Sequence, residues 1–472
     1  MRREDFLSKL LAARGFETTN SAPDNAALIL KSGIVTDSVA KTDAPVTRRD
    51  AVRWMIQSLG LSMEARILSR LDPALTDLPF RDAKSLPDYE RGCLAVAYMM
   101  KPQLVRSRAE FGASHKMQPD EAMALLEAVR EAGTAMSLDL RISPARGLNL
   151  SIHREGTFSG VPKWRVYVDG FDGREQAEAA RKALAKRGFS TEVSSPNYEW
   201  RLTGPVMEDY GDVRRLAAIA EGMGKTARIF PTVINSNSQP LYWVMLVIDP
   251  SRRSLVPVMP HGDPADGMSL LAPLSSLIKK NHAAINAGFF AVTGRNKGFP
   301  IGTLYADGKL LSRPSNGRSC IGWRSGKAGT TVRAAFGVAK WNAESGIFDD
   351  GVWDDMEYVM QGGPLLIRNG EVVLTSEGFK AQMTDLRHPR SVVGLTRDGR
   401  WFFFVGDGRD STHSVGFTLR EAADLLLELG ASYALNLDGG GSSEMIVNGV
   451  MLNSPSEKRE RPISYGIAAE PR

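Results

Sequence analysis

The sequence predicts a multidomain chain: α-helical repeats first, a small α+β sheet unit in the middle, and a mixed, layered α+β domain last. Three observations predict it. Apolar residues recur at helical spacing through residues 1–136, and a strand–helix–strand pattern occurs twice within 163–230. From Ser238 to 472, alternating apolar runs dominate, broken by Gly-rich turns. At 472 residues the chain is too long for one ordinary core.

Composition narrows the function classes. Lys and Arg number 59 against 54 Asp and Glu, a net charge of +5 with no long basic block, so no nucleic-acid partner is expected. Cys93 and Cys320 lie far apart and build neither a disulfide framework nor a zinc site. The six histidines form no HxH or HExxH cluster. No apolar run reaches the length of a membrane span. The opening stretch MRREDFLSKLLAARG is amphipathic and carries acids, unlike a signal peptide.

Residues 1–136 read as capped helices. Phe6, Leu7, Leu10 and Leu11 share one helical face; Thr47 precedes an apolar-periodic run, with Asp50 at the reciprocal capping position. Further helices are expected over Tyr89–Met100 and from Pro119. The segments Arg3-Glu4-Asp5-Phe6, Gly33-Ile34-Val35, Thr47-Arg48-Arg49-Asp50 and Phe80-Arg81-Asp82 resemble S-layer homology repeats. That resemblance implies attachment to a bacterial cell-wall polymer.

Residues 137–162, with Pro144, Gly147, Gly156, Gly160 and Pro162, read as a linker. Then WRVYVDGF, the helix REQAEAARKALAKRGF and the strand STEVSS are followed by EWRLTGPV, DVRRLAAIAEGMG and KTARIF. Two β-α-β units within 163–230 predict a ferredoxin-like sheet with both helices on one face. The unit resembles the SPOR domain, which implies binding to peptidoglycan strands.

In the C-terminal domain, 238–472, the apolar run Tyr433–Leu437 delivers Asp438 to Gly439, Gly440, Gly441, Ser442 and Ser443. An acid at a strand end beside bare amides and hydroxyls suits an anionic or sugar-like ligand. Together with Asn286-Ala287-Gly288-Phe289-Phe290, Gly362-Gly363-Pro364, His388-Pro389-Arg390, Asp407-Gly408-Arg409, Asn453, Pro455 and Arg461, this stretch resembles the phosphodiester glycosidase family. The resemblance implies removal of a sugar joined through its anomeric carbon to a phosphate.

Such a reaction builds positive charge on the sugar and negative charge on the departing oxygen. Asp438 is the first choice for the carboxylate facing the anomeric carbon, and Asp407 the second. Arg390 and Arg409 are candidates for a guanidinium fork on phosphate. Asn286, Gly288, Gly363, Arg461, the Gly439–Gly441 amides, Ser442 and Ser443 would position sugar hydroxyls or phosphate oxygens. Asp407 and Asp438 would alternatively suit a shared calcium ion. Glu421 reads as half of a capping box with Thr418, and one of Phe289 and Phe290 as core.

The expectation is thus an extracytoplasmic, envelope-associated bacterial hydrolase acting on a cell-wall glycan or other envelope glycopolymer. Two alternatives stay open: a non-catalytic glycan-binding protein, and a phosphodiesterase attacking phosphorus.

Overall fold

The structure is a computed structural model, described here for residues 1–37, 43–71, 78–195, 200–233, 239–260, 270–312, 314, 317–324, 333–348 and 351–472. The expected boundary at Ser238 and the start of the second β-α-β unit at Glu199 lie outside those residues. The chain divides into two compact units, one of Met1–Asp139, Arg154–Pro240 and Asp410–His413, the other of Leu140–His153, Leu241–Arg409 and Ser414–Arg472.

The first unit opens with α1 (Arg3–Ala13), α2 (Ala22–Lys31), α3 (Arg48–Ser58), α4 (Ser62–Leu71), α5 (Asp88–Met99) and α6 (Pro119–Ala135). Phe6, Leu7, Leu10 and Leu11 are all fully buried, as their spacing predicts. Thr47 caps α3 by accepting from the Asp50 N–H at 3.2 Å. Asp50 does not reciprocate: its carboxylate pairs with Arg3 at 3.0 Å, so an ion pair takes the place of a capping box.

Residues 137–155, expected within a linker, form a hairpin instead: β1 (Ser137–Ala145) and β2 (Leu148–Glu155). Its apolar alternation is strict, and Leu138, Leu140, Ile142, Leu148, Leu150 and Ile152 are buried. Gly147, at φ 79°, supplies the turn rather than a linker's flexibility.

Next come β3 (Lys163–Phe171), α7 (Arg174–Ala185), β4 (Glu192–Ser194), β5 (Trp200–Thr203), α8 (Tyr210–Gly222) and β6 (Thr226–Val233). The sheet order β4-β5-β3-β6 is that of two interlocked β-α-β units. Val166, Val168, Leu184, Leu202 and Leu216 form its core. This sheet belongs to the same compact unit as the helices, and the Trp164 indole donates to the Ser32 carbonyl at 2.8 Å.

The second unit contains β7 (Leu241–Ile248), β8 (Arg253–Val258), the short α9 (Leu274–Leu277), β9 (Ala283–Asn286), β10 (Leu304–Ala306), β11 (Lys309–Ser312), β12 (Cys320–Arg324) and β13 (Arg333–Gly337). It continues through β14 (Trp341–Asn342), β15 (Ile347–Phe348), β16 (Tyr358–Gln361), β17 (Leu365–Arg368), β18 (Glu371–Val372), α10 (Ala381–Thr384), β19 (Arg390–Thr396) and β20 (Trp401–Gly406). It closes with α11 (Leu419–Glu428), β21 (Ala431–Asn436), β22 (Met445–Val447), β23 (Val450–Met451) and β24 (Gly466–Pro471).

The largest sheet runs β1-β2-β7-β20-β19-β21-β17-β18; two five-stranded sheets run β23-β22-β9-β24-β8 and β11-β10-β16-β12-β13. α11 lays Leu419, Ala422, Ala423 and Leu426 on the largest sheet, against Trp243, Val392, Phe402 and Phe404. The chain is therefore multidomain and mixes helices with several antiparallel sheets. No helix among the described residues is long and apolar enough to cross a membrane.

The hairpin carries a prediction. A fragment of residues 238–472 lacks β1 and β2 and leaves β7 as an open edge. Without the hairpin the sheet loses the burial of Leu140, Ile142, Leu148, Leu150 and Ile152, at about 1.5–3 kcal/mol each, on the order of 10 kcal/mol together. Its melting temperature should fall well below that of the full chain; equal melting temperatures would contradict the hairpin's role.

Candidate active site

Strand ends gather the site. Arg390 opens β19 opposite Gly406, the last residue of β20. Asn436 ends β21 opposite Val392 of β19. One end of the sheet therefore presents Arg390, Asp407–Arg409 and Leu437–Ser443 together. A cavity of about 180 Å³ opens there, with Asp438, Arg390, Arg409, Arg461 and His388 on its polar side and Phe289 and Phe379 on an apolar side.

Asp438 is fixed by its backbone. Its N–H donates to the Ala287 carbonyl at 3.0 Å, and its own carbonyl accepts from Asn286 Nδ2 at 2.7 Å. Burial pushes its carboxyl up to about 6, against the opposing pull of the Ser442 hydroxyl, Arg461, the Gly439 N–H and Arg409. At neutral pH it is ionised and basic enough to take a proton.

Arg390 is buried, and its Nε and Nη2 donate to the carbonyls of Phe417 at 2.8 Å and Leu386 at 2.9 Å. That edge of the guanidinium is committed to the chain, so the two-pronged grip on phosphate expected of it is not available in full. Burial, then Arg409, pulls its pKa down to about 10, with Glu421 opposing, and it keeps its charge at neutral pH. Among the described residues no carboxylate forms a salt bridge with it.

Arg409 sits at φ 61°, a left-handed conformation uncommon for a side-chain-bearing residue. Its Nε and Nη2 lie 3.2 and 3.1 Å from His388 Nδ1. His388 Nε2 faces the Gln382 carbonyl at 2.9 Å, so the proton belongs on Nε2 and Nδ1 accepts from Arg409. Burial lowers the His388 pKa, with Arg409 and Arg390 adding to it against the Gln382 hydrogen bond, and the ring is neutral. Arg461 Nη1 donates to Ser442 Oγ at 3.2 Å, and Nη2 pairs with Glu457.

The glycines matter by what they leave out. A Cβ on Gly441 would stand 2.3 Å from Arg461 Nη2, and one on Gly440 3.1 Å from Arg409 Nη1. Bare backbone therefore lets two guanidiniums close on the loop after Asp438. Their amides are less free than expected: the Gly439 N–H serves the Asp438 carboxylate and the Gly440 N–H donates to the Pro389 carbonyl.

Several expected residues stand behind the pocket rather than in its lining. Asp407 is buried, and its two carboxylate oxygens accept from Asn453 Nδ2 at 2.9 Å and the Ser454 N–H at 2.7 Å, which anchors that loop. Asn286 joins the Asp438 carbonyl, the Ser391 hydroxyl at 2.7 Å and the Glu444 N–H at 3.2 Å, so it holds backbone in place. Gly288 has room for nothing larger, since a Cβ would meet the Gln361 carbonyl and the Tyr465 hydroxyl at 2.2 Å. The Gly363 carbonyl accepts from Asn436 Nδ2 at 2.8 Å. Ser442 and Ser443 are buried within the loop and do not line the pocket. Among the described residues no group of three or more His, Cys, Asp or Glu gathers as a ligand set.

Sequence reasoning passed over Glu457, Phe379, Met383 and Glu444. Glu444 is fully buried, and among the described residues its carboxylate makes no ion pair and no side-chain hydrogen bond, only an approach by the Leu274 N–H. Burial, then Glu460, pushes its pKa up to about 9, against the Leu274 N–H and Arg461. The folded protein then holds a proton that the unfolded chain releases near 4.5, so stability falls as pH rises from there and the loss is complete above about 9. Glu444→Gln should flatten melting temperature against pH over that window. Parallel profiles for the two proteins would contradict a buried neutral carboxyl.

Part of the chain is similar in sequence to known proteins. The N-acetylglucosamine-1-phosphodiester alpha-N-acetylglucosaminidase of Mus musculus is 28% identical over 185 residues, 37% of this chain and 33% of that protein. The SPbeta prophage-derived uncharacterized protein YomE of Bacillus subtilis (strain 168) is 29% identical over 196 residues, 39% of this chain and 27% of that protein. A solved zebrafish catalytic domain of the same glucosaminidase is 24% identical, with TM-score 0.40, over 50% of this chain and 79% of that one. The chain thus spans about a third of the length of the curated relatives it matches. Residues 279–470, which hold every pocket residue described above, match the phosphodiester glycosidase family.

Proposed function

We propose that this protein hydrolyses the bond between the anomeric carbon of a sugar and a phosphodiester. The observation that carries the reading is one carboxylate, Asp438, sharing a pocket with three guanidiniums, Arg390, Arg409 and Arg461. Water delivers its hydroxyl to the anomeric carbon while the carbon–oxygen bond to phosphate breaks, and that electron pair stays on the phosphate oxygen. Asp438 stabilises the positive charge on the sugar and takes the water's proton. The guanidiniums stabilise the departing phosphomonoester, a leaving group good enough to need little protonation.

Its relatives' names point to N-acetylglucosamine as the sugar. The S-layer-homology-like and SPOR-like resemblances of residues 1–136 and 163–230 support an extracytoplasmic location on a bacterial envelope and a glycopolymer substrate. Incubating the full chain with the methyl diester of N-acetylglucosamine-1-phosphate should release free sugar and methyl phosphate in equal amounts. Binding of the diester without any turnover would instead support a glycan-binding protein.

A further inference from the structure

The glycosidase reading accounts for the polar side of the pocket and leaves its apolar side unexplained. Phe289 and Phe379 meet there with ring centroids 5.3 Å apart. From them two apolar banks run out to the surface. On the first, Phe290 bridges Pro300 in antiparallel pairing, the Ile301 N–H donates to the Phe289 carbonyl at 2.8 Å, and the Ala291 N–H donates to the Phe299 carbonyl at 2.9 Å. Opposed residues share a face and alternate residues return to it, so Phe289, Ile301 and Phe299 lie on one face while Phe290 turns into the core. On the second bank the chain runs from Phe379 through Met383, a pocket residue, to Leu386, whose carbonyl accepts from Arg390.

These side chains are exposed to an unusual degree. Phe299 is 45% accessible, Ile301 41%, Met383 45% and Leu386 55%. They are four of the twelve large apolar residues exposed among the described residues: Met383 lines the pocket, Ile301 and Leu386 are hydrogen-bonded through their backbones to the lining residues Phe289 and Arg390, and Phe299 lies two residues from Ile301. None carries a donor or acceptor for a sugar hydroxyl. Arg318 lies over the Phe379 ring at 4.1 Å, which occupies that ring with a cation.

We infer that the acceptor side of the substrate is a hydrocarbon alcohol: the phosphate sits among the guanidiniums, and the alkyl or prenyl chain esterified to it leaves along the two banks. The inference rests on the glycosidase reading and names its substrate class as a sugar-1-phosphate diester with an apolar acceptor.

The test compares the methyl and n-hexyl diesters of N-acetylglucosamine-1-phosphate with the full chain, below any micelle concentration. Covering two of the five added methylenes should favour the hexyl diester in kcat/KM by about ten-fold, mostly through KM. Leu386→Ser and Phe299→Ser, both at exposed positions, should each pull that hexyl-to-methyl ratio towards one. Equal turnover of both diesters, preference for methyl, or a ratio unmoved by either variant overturns the inference and leaves the glycosidase reading standing. No turnover of either diester overturns the glycosidase reading, and the inference with it.

Discussion

Asp438→Asn should lower kcat on the order of a thousand-fold while the protein melts at an unchanged or higher temperature. The substitution nearly keeps shape and removes the charge that faces the anomeric carbon. Its loss falls mainly on kcat, because the interaction strengthens as positive charge develops on the sugar. The stability direction follows from the raised pKa. Ionising a carboxyl held at about 6 costs folding free energy at neutral pH, and the amide removes that cost. The wild-type rate should rise with pH through about 6 as Asp438 ionises, and the variant should lack that limb. Kinetics and thermal melts on the same preparation check it. Activity lost in proportion to lost stability would make Asp438 a structural turn.

The second large effect belongs to Arg390. Arg390→Ala should cost about 3–4 kcal/mol of transition-state stabilisation and raise KM as well, since the phosphate is charged before and after reaction. It should also lower the melting temperature, because the carbonyls of Phe417 and Leu386 lose their donor. Arg390→Lys keeps the charge but reaches one carbonyl at most, so it should restore part of the binding and little of the stability. An Arg390→Ala protein with wild-type KM and melting temperature would place the phosphate elsewhere.

Local rules carried much of the site. Thr418 and Glu421 form the capping box that their spacing announced, with Thr418 Oγ accepting at 3.1 Å and Glu421 Oε2 at 2.9 Å. Phe290 is core and Phe289 lines the pocket, so the two neighbouring rings part as expected, here beside an isolated bridge from Phe290 to Pro300 rather than in a continuous strand. Asp438, Arg390, Arg409 and Arg461 share one cavity although up to 71 positions separate them in the chain.

What the sequence hid was direction. Asp407 has the right chemistry for catalysis and Asn286 for positioning a sugar, yet each spends polar atoms on neighbouring loops, a matter of tertiary register that spacing does not encode. The β1–β2 hairpin was masked by Pro144 and Gly147, which signal a linker and a turn equally well. Nothing in the spacing around Glu444 marks it as buried; only the folded chain shows that it is.

The bond that breaks is the centre of the account. Hydrolysis of the methyl diester in oxygen-18 water, followed by mass analysis of both products, locates it. Attack at the anomeric carbon puts the label in the released sugar and none in methyl phosphate. Label in the phosphate would show attack at phosphorus and contradict the roles assigned to Asp438 and the three arginines.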